Sequence, residues 1–442
     1  MFILRLCSRY MTTRYIALAS VISILLGVAT LIVVNSVMSG FRAKMRERLH
    51  GILSDVVVES RSSLDGFPEP QMVMDRIQEL CGDRIAGMTP AIETHGILSY
   101  RPLGVGRFVS RYVTVVGVDP KGRCQVGDFQ KHLVDPENRK DPSFALRPAA
   151  VEWRNRNLDL VDASREWPGA IVGYQIATFR EEESGVDEQL ILPGNEIVLT
   201  TVTSGQPKPI DGKFVVADLY KSEMSEYDER YVFVPFESLQ ELVMPGRANC
   251  IQIKLHSFAD APHVVETLRK SFNGAYFNVC TWEDKQGPLL HAVKVEAFLM
   301  NFILFFIIAV AGFGILSTFT MMVVEKTRDI GLLKALGASH RGVLTLFLTY
   351  GMTLGTIGAV LGAAAGIAVA WNVNPLEQFI KEQTGYEIFP RNIYYFDSIP
   401  VLLEAQTVGW VVAGALSIAL FAALFPARRA ARLSPVETLR YE

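Results

Sequence analysis

The sequence is poor in charged residues and has no excess of basic ones. Only 20% of its 442 residues are charged, whereas half are apolar. Soluble domains carry about a quarter charged residues, so this composition favours a membrane protein. The 43 lysine and arginine residues do not outnumber the 46 aspartate and glutamate residues. Because basic side chains are needed to neutralise a phosphate backbone, this balance excludes nucleic acid as an expected partner.

Cysteine is also scarce. Five cysteines occur, and none has the CxxC or Cys/His spacing of a metal or redox site. Four of them lie in the region that we predict to be outside the cytoplasm, where disulfides can form: Cys81, Cys124, Cys250 and Cys280. An even number permits pairing without requiring it, so the disulfide state stays open here. We expect ordinary buried thiols.

Catalytic and nucleotide-binding motifs are missing from the whole sequence. GxSxG, HExxH and the Walker pattern G-x-x-x-x-G-K-[ST] do not occur. The seven histidines are scattered, which is typical of surface or hydrogen-bonded residues. The adjacent acids Glu181, Glu182 and Glu183 are typical of a solvated loop. We therefore expect no enzyme activity, no metal and no cofactor on this chain.

What the sequence does have is four long apolar segments without charge. A helix needs about 20 apolar residues to cross the hydrocarbon layer, where charges are costly. The predicted transmembrane helices are residues 15–41, 297–324, 342–372 and 405–427. The first is too long for the apolar part of a secretory signal peptide, so we expect it to remain as an anchor.

The third segment carries a stripe of glycines. These glycines recur at spacings of three and four, which places them on one helix face: Gly351, Gly355, Gly358, Gly362 and Gly366. Such a face allows a neighbouring backbone to approach closely. Between tight helix packing and a substrate path, we favour tight packing.

Basic residues near the membrane segments predict the orientation, since they favour the cytoplasmic side. They are concentrated in the N-terminal segment 1–14, the loop 325–341 and the tail 428–442. The loop 373–404 is acidic instead. Basic residues directly after the first segment make that segment ambiguous by itself. Taken together, the pattern predicts a multi-pass protein of a lipid bilayer with both termini in the cytoplasm.

Residues 42–296 form a predicted extracytoplasmic domain between the first and second membrane helices. Alternating or β-branched residues indicate strands, and apolar residues at helical spacing indicate helices. The predicted strands are residues 55–59, 111–116 and 196–200, and the predicted helices are residues 72–80 and 263–272. We predict a mixed α/β fold. Residues 39–49 are expected to continue the first helix, and the proline-rich residues 119–168 are expected to form an irregular insertion.

The loop between the second and third membrane helices is short and amphipathic. Apolar residues make a stripe along a predicted helix: Ile330, Leu333, Leu336 and, less regularly, Leu332. Charged residues occupy the remaining surface: Glu325, Lys326, Arg328, Asp329 and Lys334. Gly337 suits the end of this helix, and Ser339 suits the start of the next. The helix fits docking to a cytoplasmic partner, with a plain interfacial loop as the alternative.

Three segments carry a family resemblance. Residues 324–339, VEKTRDIGLLKALGAS, resemble the signature of type VII ABC transporter permeases, the superfamily of lipoprotein-releasing permeases, MacB and FtsX. Residues 425–442, FPARRAARLSPVETLRYE, and residues 36–41, SVMSGF, resemble the corresponding parts of the same superfamily. Residues 220–228, YKSEMSEYD, and 173–177, GYQIA, are similar to segments of the periplasmic domain of lipoprotein-releasing permeases.

The resemblance implies a function for the whole chain. It implies a non-catalytic subunit in a bacterial inner membrane, paired with a second permease chain, either identical or related. A separate ATPase dimer would hold ATP and Mg and dock on the helix 325–337. Its motion would be transmitted to the periplasm to release lipoproteins to a periplasmic carrier. The alternatives are MacB-like efflux of hydrophobic compounds or peptides, and FtsX-like activation of a cell-wall hydrolase without transport. An enzyme anchored in the membrane is a further alternative, without any catalytic motif in its favour.

For a lipoprotein substrate, the resemblance implies a place for the acyl chains. They would leave the bilayer near the outer ends of the first two membrane helices. The candidate residues for lining that space are Val37, Met38, Phe41, Phe298, Leu299 and Phe302. The alternative is that these side chains simply face lipid.

Overall fold

The computed structural model describes residues 15–62, 64–102, 107–157, 166–180, 187–205, 208–385 and 398–433. It divides into an inserted domain, Met45–Leu290, and a membrane unit, Met1–Lys44 with His291–Glu442. The predictions for the basic segment 1–14, for Glu181, Glu182 and Glu183, and for the tail from residue 434 onward lie outside the described residues.

The first described element is helix α1, Tyr15–Ile52. The strands are β1 Val56–Ser60, β2 Phe67–Pro68, β3 Ile85–Tyr100, β4 Val109–Val118, β5 Gly169–Gly173, β6 Thr178–Arg180, β7 Asp187–Gln189, β8 Glu196–Val202, β9 Pro209–Tyr220, β10 Tyr231–Pro235, β11 Arg247–Ala248, β12 Cys250–Leu255 and β13 Phe277–Thr281. The helices of the inserted domain are α2 Pro70–Cys81, α3 Pro120–Val126, α4 Pro136–Lys140, α5 Pro148–Arg156, α6 Tyr174–Ala177, α7 Ser225–Asp228, α8 Phe236–Val243, α9 Ala261–Ser271 and α10 Trp282–Lys285. The remaining helices are α11 Gly287–Glu325, α12 Thr327–Ala335, α13 His340–Trp371, α14 Val373–Thr384 and α15 Ala405–Arg432.

The inserted domain is built on one mixed sheet. Its described strands run in the order β13-β1-β12-β3-β4-β10-β5-β9-β8. A further pairing of β3 with β8 closes the strands from β3 to β8 into a ring. The pairs β4–β10 and β5–β9 are parallel, and the other pairs of this sheet are antiparallel. The predicted mixed α/β class is therefore confirmed, and each predicted strand and helix of the domain is present.

Strand β1 shows how the sequence pattern builds the core. Its three valines are β-branched, which favours extended backbone. Val56 and Val58 point into one apolar cluster, whereas Val57 points into a second cluster on the opposite face of the sheet. The second cluster also contains Leu49 and Ile52 from the end of α1. The predicted continuation of the first helix through residues 39–49 is thus confirmed, and its last turn is buried.

The prediction of an irregular insertion at residues 119–168 is wrong for the part that the structure describes. Helices α3, α4 and α5 each have a proline in the first turn, where a missing N–H breaks no helical hydrogen bond. The side chains of Asp119 and Asp135 cap α3 and α4. Phe129 is buried against the sheet. Pro120, Pro136 and Pro148, which favoured an irregular insertion, instead mark the starts of helices.

The cysteines of the inserted domain are free thiols. The sheet register explains why Cys250 and Cys280 do not form a disulfide. Cys250 lies opposite Glu59 and Cys280 lies opposite Val57, so β1 separates the two. Two strand spacings are roughly 9–10 Å, which exceeds the reach of a disulfide. Burial raises the pKa of Cys280 to about 11. The expected buried thiols are confirmed for Cys81, Cys250 and Cys280, while Cys124 is half-buried.

In the part of the chain that is described, four helices are long and apolar enough to cross a membrane: α1, α11, α13 and α15. Both α1 and α11 extend beyond the predicted crossings 15–41 and 297–324. The described part of the predicted loop 373–404 contains the amphipathic helix α14. Which residues lie within the hydrocarbon layer stays a prediction.

The glycine stripe of α13 packs against two other helices. A Cβ on Gly351 would lie 2.6 Å from Cβ of Ala423 on α15. A Cβ on Gly362 would lie 2.7 Å from the carbonyl oxygen of Leu25 on α1. The other three glycines of the stripe are equally close to a neighbour: Gly355, Gly358 and Gly366. The predicted tight packing is therefore confirmed.

The motif at residues 36–41 also has a packing role. The backbone N–H of Leu402 donates to the carbonyl oxygen of Ser36 at 2.9 Å. A Cβ on Gly40 would overlap the carbonyl of Pro400. The segment before α15 can therefore lie directly on α1 only because residue 40 has no side chain.

The packing of α13 predicts the effect of a substitution. Gly362→Leu should destabilise the membrane unit by about 1–3 kcal/mol, because the new side chain has no room against Leu25. The measurement is the thermal unfolding midpoint of the protein in detergent. Gly409→Leu on α15 is the control, since nothing lies within 4 Å of a Cβ at residue 409. Equal midpoints for the two variants would contradict the role of the stripe.

Candidate functional site

The loop of residues 325–341 contains a short helix that is capped at its C-terminus. Helix α11 ends at Glu325, and α12 begins two residues later at Thr327. At its end, Gly337 has a φ of 96°, a conformation that favours glycine. The N–H of Gly337 donates to Lys334 O and that of Ala338 to Leu333 O, which is the Schellman pattern. Ser339 Oγ then accepts from Gly342 N at the start of α13, as the sequence predicted.

The fold buries part of the apolar stripe predicted for α12 and leaves the rest exposed. Ile330 is only 2% exposed and packs among Val323, Val343 and Phe347. Leu333 is half-buried and lines a crevice together with Ile330. Leu332 and Leu336, in contrast, are 53% and 79% exposed. The surface available to a partner is therefore smaller than the four-residue stripe, and it consists chiefly of these two leucines.

The charges around α12 are divided in a similar way. Glu325 and Arg328 are exposed, and Lys326 forms an ion pair with Asp329 at 2.7 Å. Lys334 does not extend into solvent. Its ammonium donates to the carbonyl oxygen of Ala431 at 2.7 Å and to that of Leu433, both at the end of α15. The structure thus places the Lys334 ammonium against the end of α15, and its part in binding the ATPase stays a prediction.

Within the inserted domain, the end of α1 is held by apolar burial and by charge. We call residues 45–52 the α1 root. Leu49 and Ile52 are buried in the second apolar cluster, next to Trp282. Arg48 donates to the carbonyl oxygen of Glu223 at 2.9 Å and pairs with the Glu223 carboxylate. The root is thereby attached to the loop that joins β9 to α7.

His50 of the α1 root lies in a small polar cluster. Its Nε2 lies 2.7 Å from Oδ1 of Asp55, which also accepts from Lys254 Nζ at 2.9 Å. Asp55 is 1% exposed, and its other oxygen accepts from the N–H of Leu255 at 2.9 Å. The imidazole ring lies 5.8 Å from that of Trp282. His50 is a hydrogen-bonded histidine, as the sequence predicted for the scattered histidines.

We call residues 282–290, which comprise α10 and the start of α11, the α11 root. Thr281 and Asp284 form a reciprocal capping box at its start, and Trp282 is buried. Lys285 Nζ donates to Glu59 Oε1 at 2.6 Å and to Glu93 Oε2 at 2.7 Å. One lysine thus joins the root to β1 and β3. No sequence pattern predicted the role of Lys285, although the Thr-x-x-Asp pattern of the cap was a usable signal for the start of this segment.

The charge state of Lys285 is set by these neighbours. Burial opposes the ammonium, but the carboxylates of Glu93 and Glu59 outweigh it and raise the pKa of Lys285. The lysine therefore stays charged at neutral pH. It separates two carboxylates that would otherwise repel each other across the sheet.

The segment 220–228, which carried one of the resemblances, contacts both roots. Glu223 binds Arg48 of the α1 root, and the hydroxyl of Tyr227 lies 3.0 Å from Gln286 Nε2 of the α11 root. Asp228 holds the loop in shape by accepting from Ser222 N and Ser222 Oγ, each at 2.7 Å. Burial raises the pKa of Asp228 to about 6 despite these hydrogen bonds.

The candidate acyl-lining residues differ in exposure. Phe298, Leu299 and Phe302 are 68%, 52% and 53% exposed along one part of α11. Val37, Met38 and Phe41 on α1 are half-buried. The rings of Phe298 and Phe302 stack at 6.5 Å, and those of Phe302 and Phe306 lie 4.9 Å apart. Helix α11 therefore carries an exposed aromatic face, whereas the three α1 residues lie at a packed surface.

Among the described residues, no group of three histidine, cysteine, aspartate or glutamate side chains is arranged to hold a metal ion. The candidate site contains the ion pairs of the two roots and of the 325–341 loop. What this arrangement offers chemically is binding and mechanical attachment.

Comparisons with known proteins cover nearly the whole chain. Residues 17–271 match the MacB-like periplasmic core domain family, and residues 301–435 match the FtsX-like permease C-terminal family. The lipoprotein-releasing system transmembrane protein LolC of Xylella fastidiosa is 28% identical over 97% of this chain and 94% of its own length. LolE of Haemophilus influenzae is 26% identical over 96% of this chain and 94% of its own length. The macrolide export ATP-binding/permease protein MacB of Bdellovibrio bacteriovorus is 26% identical over 49% of this chain and 32% of its own length.

The buried carboxyl group of Asp228 predicts a pH dependence. Its pKa of about 6 lies above the ordinary value of 3.8, so the folded protein binds an extra proton between these two pH values. The free energy of unfolding should therefore fall by about 2–3 kcal/mol as the pH rises from 4 to 6, and should change little above that. The measurement is chemical unfolding of the full chain, followed by fluorescence of buried Trp282.

Asp228→Asn is the test of that assignment, because an amide cannot ionise. This variant should lose the pH dependence between pH 4 and 6. Glu226→Asn in the same loop is the control and should keep it. An unchanged pH profile in Asp228→Asn would show that another group is responsible.

Proposed function

Because this chain belongs to the family of MacB-like and FtsX-like membrane permeases, we propose that it is the permease subunit of an ABC transporter that releases lipoproteins from the bacterial inner membrane. The observation that carries the proposal is the similarity over nearly the full chain to proteins named as lipoprotein-releasing transmembrane subunits. The superfamily resemblance drawn from the sequence motifs is confirmed by the family matches.

The ATPase of this transporter is a separate cytoplasmic chain that docks on α12. Leu332 and Leu336 supply exposed apolar contacts, and Glu325 and Arg328 supply charges beside them. A short amphipathic helix of this kind fits a groove on a globular partner. ATP and Mg are bound by that partner. This docking requires the 325–341 loop and both termini to be cytoplasmic, as the distribution of basic residues predicts.

Motion of α12 is relayed along the helices. Lys326 alone separates α11 from α12, and α1 and α11 each have residues in both structural units. The roots of both helices are anchored in the inserted domain by buried apolar residues and by ion pairs. In this proposal, a displacement of either helix reaches the inserted domain through these anchored roots. The anchoring supports mechanotransmission.

The lipoprotein anchor is handled at the exposed aromatic face of α11. Removing an acyl chain from the bilayer costs about 0.8 kcal/mol for each CH₂, so an anchor with several chains needs both an energy source and a sheltering surface. Phe298 and Phe302 offer such a surface next to the inserted domain in sequence. A second permease chain, identical or related, completes the enclosure, and a periplasmic carrier receives the released protein.

A second candidate is efflux of hydrophobic compounds or peptides. It rests on the similarity of part of the chain to the macrolide exporter MacB. The discriminating experiment is purification of the permease with its ATPase in lipid nanodiscs. Release of an acylated protein on addition of ATP supports the first function. Expulsion of a small molecule without release of any lipoprotein would favour the second.

Docking on α12 predicts the result of a single substitution. Leu336→Asp should reduce co-purification of the ATPase by about tenfold or more, because it removes a leucine contact and adds a desolvated charge. Leu376→Asp is the matched control: Leu376 is 45% exposed on α14, which the predicted topology places on the opposite side of the membrane. Co-purification of the Leu336→Asp variant at the wild-type level would remove the docking role of this surface.

Acyl-chain binding at α11 predicts a position-dependent cross-link. A photoreactive phenylalanine analogue at Phe302 should form an adduct with acylated protein, and ATP should reduce its yield. The same analogue at Met321, which is 52% exposed toward the other end of α11, is the control and should give no such adduct. Equal adducts at both positions would show that α11 only faces bulk lipid.

A further inference from the structure

The end of α15 is bound by the 325–341 loop through two side chains. Lys334 Nζ donates to the carbonyl oxygens of Ala431 and Leu433. His340 Nδ1 lies 2.6 Å from the same Ala431 oxygen. A carbonyl oxygen only accepts, so Nδ1 of His340 carries the proton in this contact. The final carbonyl groups of a helix have no partners within the helix and carry its negative partial charge, which makes them favourable acceptors for an ammonium.

An apolar cluster lies beside these hydrogen bonds. Ile330 of α12 and Val343 of α13 pack in one cluster with three residues of α15 that are fully buried: Ala427, Ala430 and Ala431. Alanines at these positions let α15 approach the loop closely. The loop, the start of α13 and the end of α15 are therefore held together by both packing and charge.

The connectivity makes this contact significant. The 325–341 loop is covalently continuous with α11 and α13, whereas α15 begins only at Ala405, beyond α13 and α14. Motion of α12 can therefore reach α15 directly only through noncovalent contacts of this kind. Lys334 is the charged member of the contact. Its ammonium binds the end of α15 and is not part of the exposed surface that Leu332 and Leu336 form.

We infer that Lys334 is a positioning residue that couples α12 to α15, so that α15 moves with the loop when the ATPase acts. This inference rests on the proposed function for the source of the motion. The contact itself lies within this chain and does not involve the ATPase. His340 strengthens the contact by donating to the same Ala431 carbonyl group. The apolar cluster around Ile330 holds α12 and α15 side by side.

The first test measures the contact without the ATPase or any substrate. Spin labels are placed on cysteines introduced at the exposed residues Ala335 and Arg429, and their separation is measured by pulsed electron paramagnetic resonance in nanodiscs. The wild-type background and Lys334→Arg should give one narrow distance distribution. Lys334→Met, which keeps the length of the side chain but cannot donate, should give a clearly broader distribution. Lys334→Gln, which has a neutral amide group as donor, should give a distribution of intermediate width.

The second test measures coupling in the assembled transporter. In Lys334→Met, the ATPase should co-purify normally and hydrolyse ATP within about twofold of wild type, whereas release per ATP hydrolysed should fall about tenfold, the usual effect of losing hydrogen bonds from a charged donor. Lys334→Arg should restore most of the release. Lys294→Met, an exposed lysine on α11 replaced in the same way, is the control and should behave as wild type.

The outcomes separate this inference from the proposed function. An unchanged distance distribution in Lys334→Met, or a broadened one with normal release per ATP, would overturn the positioning role. Loss of the ATPase from the Lys334→Met complex would assign Lys334 to the docking surface and would overturn it as well. If the wild-type complex released no lipoprotein, the proposed function would fail, and the distance measurement would still decide whether Lys334 holds α15.

Discussion

The hydrocarbon layer accepts neither charge nor unpaired backbone groups, and the rest of this structure depends on that constraint. It requires the membrane-crossing segments to be apolar helices, so groups that bind, pair or titrate lie at the ends of these helices or beyond them. The helices pack through small residues, as Gly351 and Gly362 of α13 show. The communication that we propose is therefore mechanical, along closely packed helices.

The two ends of this connection are built differently. In the 325–341 loop, a nine-residue helix is supported by a small cluster around Ile330 and by hydrogen bonds to the end of α15. In the inserted domain, each root has a buried aromatic or aliphatic anchor and at least one ion pair, such as that of Lys285 with Glu59. The loop thus presents a limited exposed surface, whereas the roots are buried in the inserted domain. This difference suits the transmission of motion that we propose.

Features that are local or periodic could be predicted from the sequence. Features that depend on contacts with residues distant in sequence could not. The strands near Val56, Tyr112 and Ile197 follow from β-branched and alternating residues, which are visible in one segment. The prolines of residues 119–168 were misinterpreted because proline both ends helices and begins them, and only the burial of Phe129 and its neighbours distinguishes the two cases. The stripe on α12 was predicted too wide for a related reason, since periodicity cannot tell which apolar side chain faces the chain's own core.

By itself, the sequence determined the four membrane segments, the inserted α/β domain, the glycine face of α13 and the superfamily, because each is carried by composition or by a contiguous motif. The tertiary structure alone decided that Lys334 caps α15, that Lys285 joins the α11 root to β1 and β3, and that Cys250 and Cys280 stand one strand too far apart to pair. These facts depend on residues distant in sequence meeting at hydrogen-bonding or packing distance. Such meetings are set by the path of the whole chain, and no local pattern encodes them.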